Sequence, residues 1–197
     1  MMDKRETRMA LVAAAIEAME AKMALMELTT DTIIDLASAL TRTIKQGGTI
    51  YLAGNGGSAA DCQHFATELV VRLTGKFERP SLPAVSLTAD SALLTAAGND
   101  YGFDRIFARQ VEGLARQKDH LVLISTSGNS ENLIQAARAA KKKGVEVSAL
   151  VGGNGGKLKR LVPRAVVVPS DSVQRIQEEH TFVIHNLVQL IEWNLFG

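Results

Sequence analysis

The chain has 197 residues, 46% of them hydrophobic, with 22 Lys+Arg against 21 Asp+Glu and a formal charge of +1. That composition describes one globular domain with a sizeable core and excludes intrinsic disorder, and the charge balance argues against bulk nucleic-acid binding, which needs a concentrated basic face. The one cysteine, Cys62, cannot close an internal disulfide, so a stapled secreted fold is out and a reducing, cytoplasmic setting fits.

At the N-terminus, Lys4, Arg5 and Arg8 precede MALVAAAI and imitate a signal peptide. Glu17, Glu20 and Lys22 interrupt the apolar run, and no cleavage signature comes after it. No stretch reaches the ~20 apolar residues that span a bilayer, so no membrane partner is expected. Residues 3–28 carry no Gly or Pro and place Met9, Val12, Ile16, Met19, Met23 and Met26 at 3-4-3-4-3 spacing, a heptad seam on one helical face. The seam fits a helix packed on its own domain. It also fits a subunit interface, because so long an arm has little to pack on in a small domain. A second helix is expected at about 30–46, with Asp31 near its start and Gly47-Gly48 at its end.

From residue 48 the texture changes. TIYLAG (49–54), PAVSLT (83–88), HLVLIST (120–126), VEVSALV (145–151) and RAVVVPS (164–170) alternate with helical segments. That alternation predicts βαβ units, hence an α/β fold with a mainly parallel sheet covered on both faces. A last helix is expected at about 172–195, with Ile176, Val183, Ile184, Leu187, Leu190 and Ile191 as its apolar positions. Ligands of open α/β sheets sit beyond the carboxyl ends of the strands, where three glycine-containing polar segments fall.

In AGNGGSAADCQHFATEL (53–69), Gly54, Gly56 and Ala59 satisfy the dinucleotide pattern G-x-G-x-x-A. The acidic residue expected about 20 positions on is missing, since Glu78 precedes the next strand and Asp90 lies beyond it. Asp61, His64 and Glu68 also sit poorly in a helix meant for close packing on a sheet. What the loop offers is free N–H groups, Asn55 and Ser58 at a helix start, which suits an anion or a sugar. ISTSGNSEN (124–132) sets three serines and a threonine between a buried strand and a helix, with Asn129 or Ser130 as N-cap. This suits a phosphate monoester, or is an ordinary capping loop; without a Walker lysine, nucleotide hydrolysis is not expected.

RIQEEHTFVIH (175–185) places Gln177 and His185 about 80° apart on one helix side, with His180 about 60° to the other side of Gln177. His64 and Glu68, four residues apart, share a face of the earlier helix. A histidine on an apolar helix is ordinarily a core residue. Two helices that each offer a nitrogen and an oxygen also admit a four-ligand metal site, although Gln is an uncommon zinc ligand. AGNDYGF (97–103) puts Asn99 and Asp100 after a short helix, where a plain turn is the simplest reading. GGNGGK (152–157), lacking hydroxyls, reads as a loop.

In this order, GNGGSAADCQHFATE, RPSLPAVSLTAD, GNDYGF, ISTSGNS and RIQEEHTFVIH resemble the sugar isomerase (SIS) domain family, and within it the phosphoheptose isomerases. The resemblance runs over essentially the whole chain. It implies a Rossmann-like, five-stranded parallel sheet flanked by helices. It implies one domain over 1–197, divided into oligomerisation helices (1–47) and an α/β core with C-terminal helix (48–197). It also implies a homotetramer with active sites at subunit contacts, and aldose–ketose isomerisation of sedoheptulose 7-phosphate on the route to ADP-heptose and lipopolysaccharide core.

Carried over by the same resemblance, Ser125, Thr126, Ser127 and Ser130 hold the phosphate. Asn55, Gly56, Gly57 and Ser58 line the sugar, with Asn99 and Asp100 on the third loop. His64, Glu68, Gln177 and His185 match a zinc site, and Glu68 and His185 the acid/base pair; Gln177 counts as a substrate contact too. Asp61 looks like a supporting or substrate-contacting carboxylate, and His180 matches no ligand position. The competing reading is a non-catalytic SIS protein that binds the bacterial replication initiator. Such relatives look like isomerases without the catalytic Glu and His, and both are present here. A transcription regulator would need a helix-turn-helix domain, for which the segment before the first strand is too short.

Overall fold

In the computed structural model, which describes residues 3–197, Asp3 starts the first helix. Its carboxylate accepts from the N–H groups of Arg5 and Glu6, and Glu6 accepts from the Asp3 N–H, forming a capping box. The helix, α1 (Lys4–Lys45), then runs unbroken for 42 residues. The two helices expected over 3–28 and 30–46 are therefore one, and Asp31 lies inside it. The reason is local: no Gly or Pro interrupts, and the Thr29 and Thr30 hydroxyls donate back to the Leu25 and Met26 carbonyls instead of capping a new start.

The two halves of α1 have different surroundings. From Leu25 onward, Leu25, Ile33, Leu36, Ala37 and Leu40 are buried in the core. Upstream, the seam residues Met9, Val12, Ile16, Met19 and Met23 are exposed, and only Met26 reaches the core margin. Two polar contacts hold that half down: Arg175 donates to the Ala14 carbonyl, and Lys22 pairs with Glu179 at 3.3 Å.

The five apolar runs become β1 (Ile50–Gly54), β2 (Ala84–Ser86), β3 (His120–Ser125), β4 (Glu146–Gly152) and β5 (Arg164–Val168). All pair in parallel in the order β2-β1-β3-β4-β5. Between them run α2 (Gly57–Val70), α3 (Ser91–Tyr101), a 3-10 turn and α4 (Ile106–Leu114), α5 (Glu131–Lys142), α6 (Gly156–Leu161) and the last helix α7 (Val173–Phe196). Leu52, Val122, Ile124, Leu150 and Val166 face α1, α2 and α7, while Leu121, Leu123, Val147, Ala149 and Val151 face α4, α5 and α6. A strand buried on both sides has no polar alternation, which is why these segments read as continuous apolar runs. β1 leads to β2 on one side and β3 to β4 on the other, so strand order reverses between β1 and β3 and opens a crevice at their carboxyl ends. Among the described residues no helix is long and apolar enough to cross a membrane.

Two histidines are fully buried. His120, at the start of β3, shares a 2.8 Å hydrogen bond with Ser148 of β4, and its Nδ1 faces Glu146 without bonding it. His180 of α7 lies beside the Val151 backbone with both ring nitrogens outside hydrogen-bond geometry. Burial lowers both from 6.5 to about 4; Glu146 opposes this at His120, and Arg164 and Arg42 add to it. The fold therefore holds both rings neutral, whereas the unfolded chain protonates them near pH 6.5. This stability is complete above pH 6.5 and is lost as pH falls toward 4, by up to about 3 kcal/mol per histidine. The urea midpoint is accordingly expected to fall steadily between pH 7 and 4.5. A flat midpoint over that range contradicts it.

Candidate active site

The crevice is floored by two loops that end in helix N-termini. β3 stops at Ser125, and after Thr126, Ser127, Gly128 and Asn129 the chain enters α5 with Ser130 as N-cap. Ser130 makes no capping hydrogen bond, so its hydroxyl is left facing that of Ser125 at 3.4 Å. Ser125 Oγ also accepts from the Gly128 N–H, and Ser127 Oγ from the Asn129 N–H. Across the crevice, Gly56 with φ of 57° turns β1 into α2. Asn55, Ser58, Ser125, Thr126, Ser130 and Gln177 line one cavity of about 90 Å³. Hydroxyls, loop N–H groups and two positive helix ends around one small cavity are groups that can hold an anion.

Two features of this floor are not legible in the sequence. Asn55 and Asn132 exchange side-chain hydrogen bonds, at 2.9 and 2.8 Å, and lock the β1 loop to the first turn of α5. Asn132 stands in the ISTSGNSEN motif, but nothing in its position says that its amide turns to Asn55. GGNGGK is also more than a connecting loop. Its Lys157 N–H donates to Asn129 Oδ1, the Leu158 N–H to the Gly128 carbonyl and the Gly152 N–H to the Thr126 carbonyl. Gly128 and Gly156, both at positive φ, fit against the Gly155 and Ser127 carbonyls where a Cβ has no room.

The second half of the site lies where α2 meets α7. Cys62, Phe65 and Leu69 bury one face of α2 against Val183, Ile184 and Leu187 of α7. This packing brings His64 and His185 together, their Nε2 atoms 2.8 Å apart and their rings edge to face at 72°. At that distance one nitrogen donates and the other accepts. Glu68 stands on the other side of His64, with Oε1 3.7 Å from Nδ1, and its buried Oε2 has no partner. Gln177, one end of the same α7 face, lies against Gly57, where any Cβ would overlap its amide. Asp61 accepts from Thr181 of α7 at 3.3 Å. Burial raises its pKa, with Thr181 and His64 opposing.

Zinc fits part of this donor set. Two imidazole nitrogens converge, as zinc takes them, while the carboxylate of Glu68 stands against Nδ1 on the far side of the His64 ring, its Oε2 without a partner. Among the described residues no three His, Cys, Asp or Glu side chains close on one point. Asn99 and Asp100 are placed differently from the expectation. They form the last turn of α3, because the helix stops at Gly102, with φ of 84°, and passes through Gly98. Asn99 donates to Asp100 at 2.8 Å, and Asp100 lines a separate cavity of about 310 Å³ with Leu93, Tyr101, Arg109 and Leu114. The structure thus joins Asn55, Ser58, Ser125, Thr126, Ser130 and Gln177 in one cavity and leaves this pair outside it.

Replacing Gly128 by Ala tests the interlocked loops. A left-handed backbone with a Cβ costs about 1–2 kcal/mol, and the clash with Gly155 adds to that. The variant is expected to lose at least that much stability in urea denaturation and to bind inorganic phosphate more weakly by calorimetry. Wild-type values in both refute the interlock.

The SIS domain family matches residues 12–152. A phosphoheptose isomerase of Sulfurimonas denitrificans is 53% identical over 146 residues, 74% of either chain. The solved phosphoheptose isomerase of Neisseria gonorrhoeae superposes with a TM-score of 0.89 at 39% identity, covering 95% of this chain and 99% of its own. That of Francisella tularensis gives 0.90 at 35% identity, over 95% and 98%. With a family match over most of its length and relatives this similar, the chain belongs to the phosphoheptose isomerase family of SIS-domain enzymes.

Proposed function

We propose that this sugar-phosphate isomerase interconverts sedoheptulose 7-phosphate and D-glycero-D-manno-heptose 7-phosphate, the step that opens the route to ADP-heptose and lipopolysaccharide core. The reading is carried by the spacing of the two half-sites. Ser58 and Gln177 line the anion cavity, and His64 and His185 come after them on the same two helices. At the rise of an α-helix these steps are about 9 and 12 Å, comparable with the extended reach of a seven-carbon chain between its phosphate and its carbonyl end.

Ser125, Thr126, Ser127 and Ser130 take the phosphate, and Asn55, Gly56, Gly57, Ser58 and Gln177 contact the sugar. Asn99 and Asp100 join them only if α3 and the crevice approach each other. At the far end Glu68 removes a proton from C1 while O2, the ketone oxygen, is protonated, which gives the enediol. The same proton is returned to C2 as the O1 hydroxyl loses its own, leaving the aldehyde at C1. His185 opens the ring and serves the oxygens. A Glu and a His are suited to these transfers near neutral pH. His64, Glu68, Gln177 and His185 would hold zinc, which when bound polarises the oxygens of the reacting carbons. Asp61 supports His64 from one turn away. The exposed seam of α1 is the surface for assembly into a homotetramer, in the reducing cytoplasm that a single buried cysteine suits.

The test is to incubate the protein with sedoheptulose 7-phosphate and monitor aldose formation by NMR, with zinc and with a chelator. Wild-type protein is expected to turn over, and Glu68→Gln to lose about 10²–10⁴-fold in kcat while keeping its fold. Wild-type activity in that variant removes Glu68 from the chemistry. A folded wild-type protein that binds the sugar phosphate without converting it favours the initiator-binding reading instead.

A further inference from the structure

The carboxyl end of α2 carries Glu68 and has no basic residue of its own in the last turn. Helix carbonyls there need donors and favour a cation. Arg79, eleven residues beyond Glu68 on the segment leading to β2, supplies both. Its Nη2 donates to the Glu68 carbonyl and its Nη1 to the Leu69 carbonyl, each at 2.7 Å, and Nη1 also reaches the Pro80 carbonyl at 3.0 Å. Its Nε donates to Glu192 Oε1 of α7 at 2.9 Å. The two side chains are 1% and 6% exposed. One buried guanidinium therefore holds the turn of α2 that bears Glu68 and, through Glu192, the helix that bears His185 two turns earlier.

Stability alone does not call for this arrangement. Buried ion pairs are often replaced by apolar pairs of similar size with little loss, because desolvation offsets the attraction. What an apolar pair cannot do is fix two successive carbonyls with a rigid planar fork. We propose that Arg79 is a positioning residue for the isomerisation: it sets the height of Glu68 on α2 against His185 on α7. The proposal rests on the reading of Glu68 and His185 as the proton-transfer pair.

The test uses the double variant Arg79→Met/Glu192→Leu, which leaves no unpaired buried charge, beside Arg79→Lys, which keeps the charge pair but not the fork. For both, kcat is expected to fall about 10- to 100-fold with KM unchanged, Arg79→Lys losing less, because a misplacement of about 1 Å costs that much. Calorimetric affinity for inorganic phosphate stays at the wild-type value. A folded double variant with wild-type kcat overturns the proposal, as does a kcat loss matched by an equal loss of phosphate affinity, which marks general loosening. Should the double variant not fold, wild-type kcat in Arg79→Lys overturns it as well. Glu68→Gln run in parallel separates the two ideas. Inactive Glu68→Gln beside a fully active double variant removes only the role of Arg79, whereas active Glu68→Gln removes the proton-transfer reading and this proposal with it.

Discussion

The reversal of strand order between β1 and β3 is the constraint on which the rest of the molecule depends. Because β1 hands the chain to β2 on one side and β3 hands it to β4 on the other, no helix crosses the gap between their carboxyl ends. Two helix N-termini open into that gap, and the reciprocal amide pair of Asn55 and Asn132 fixes its width. The serine loop on one wall is in turn held by GGNGGK, whose glycines admit the opposing carbonyls at van der Waals range. A cavity held by such contacts needs little ordering to receive a ligand, which lowers the cost of binding.

A second consequence of the topology is that α2 and α7, more than 100 residues apart in the chain, lie side by side on one sheet face. Their apolar stripes make the contact, and the polar residues between the stripes become neighbours. Among the described residues, six have buried side-chain polar atoms without a partner, and only His120 is elsewhere; Asp61 and Glu68 belong to α2, and Arg175, Glu179 and His180 to α7. Native interiors carry few such groups; here Arg175 and Glu179 turn to α1 and His180 to the Val151 backbone, while Asp61 and Glu68 lie at the α2–α7 contact. Around it, the Arg79–Glu192 pair and the core of Phe65, Leu69, Leu187 and Ile191 hold the helices in place.

The long first helix links this site to the question of assembly. Its second half is core, and its first half presents Met9, Val12, Ile16, Met19 and Met23 to solvent, held by Arg175 at Ala14 and Lys22 at Glu179. Both anchors are on α7 within one turn of Gln177. The arm therefore touches residues that flank Gln177 in the chain.

The strands and the last helix were legible in the amino-acid sequence because both faces of the sheet are buried: continuous apolar runs admit little else at that length, and the 3.6-residue stripe of α7 matches its buried face. The serine loop and the Gly-Asn-Gly-Gly turn were legible as segments between a strand and a helix start, and the structure sets both at the ends of their strands, lining one cavity. The expectation of two helices was wrong because Thr-Thr-Asp suits a cap as well as an interior, and in the structure the Thr29 and Thr30 hydroxyls bond back to the preceding turn. Nor did periodicity place Asn99 and Asp100, whose helix stops at Gly102 when Gly98 offered an equal signal. The Asn55–Asn132 pair, the support from GGNGGK and the grip of Arg79 on Glu68 depend on residues distant in the chain. Such contacts are set by sheet order and helix packing, which local patterns of side chains do not encode.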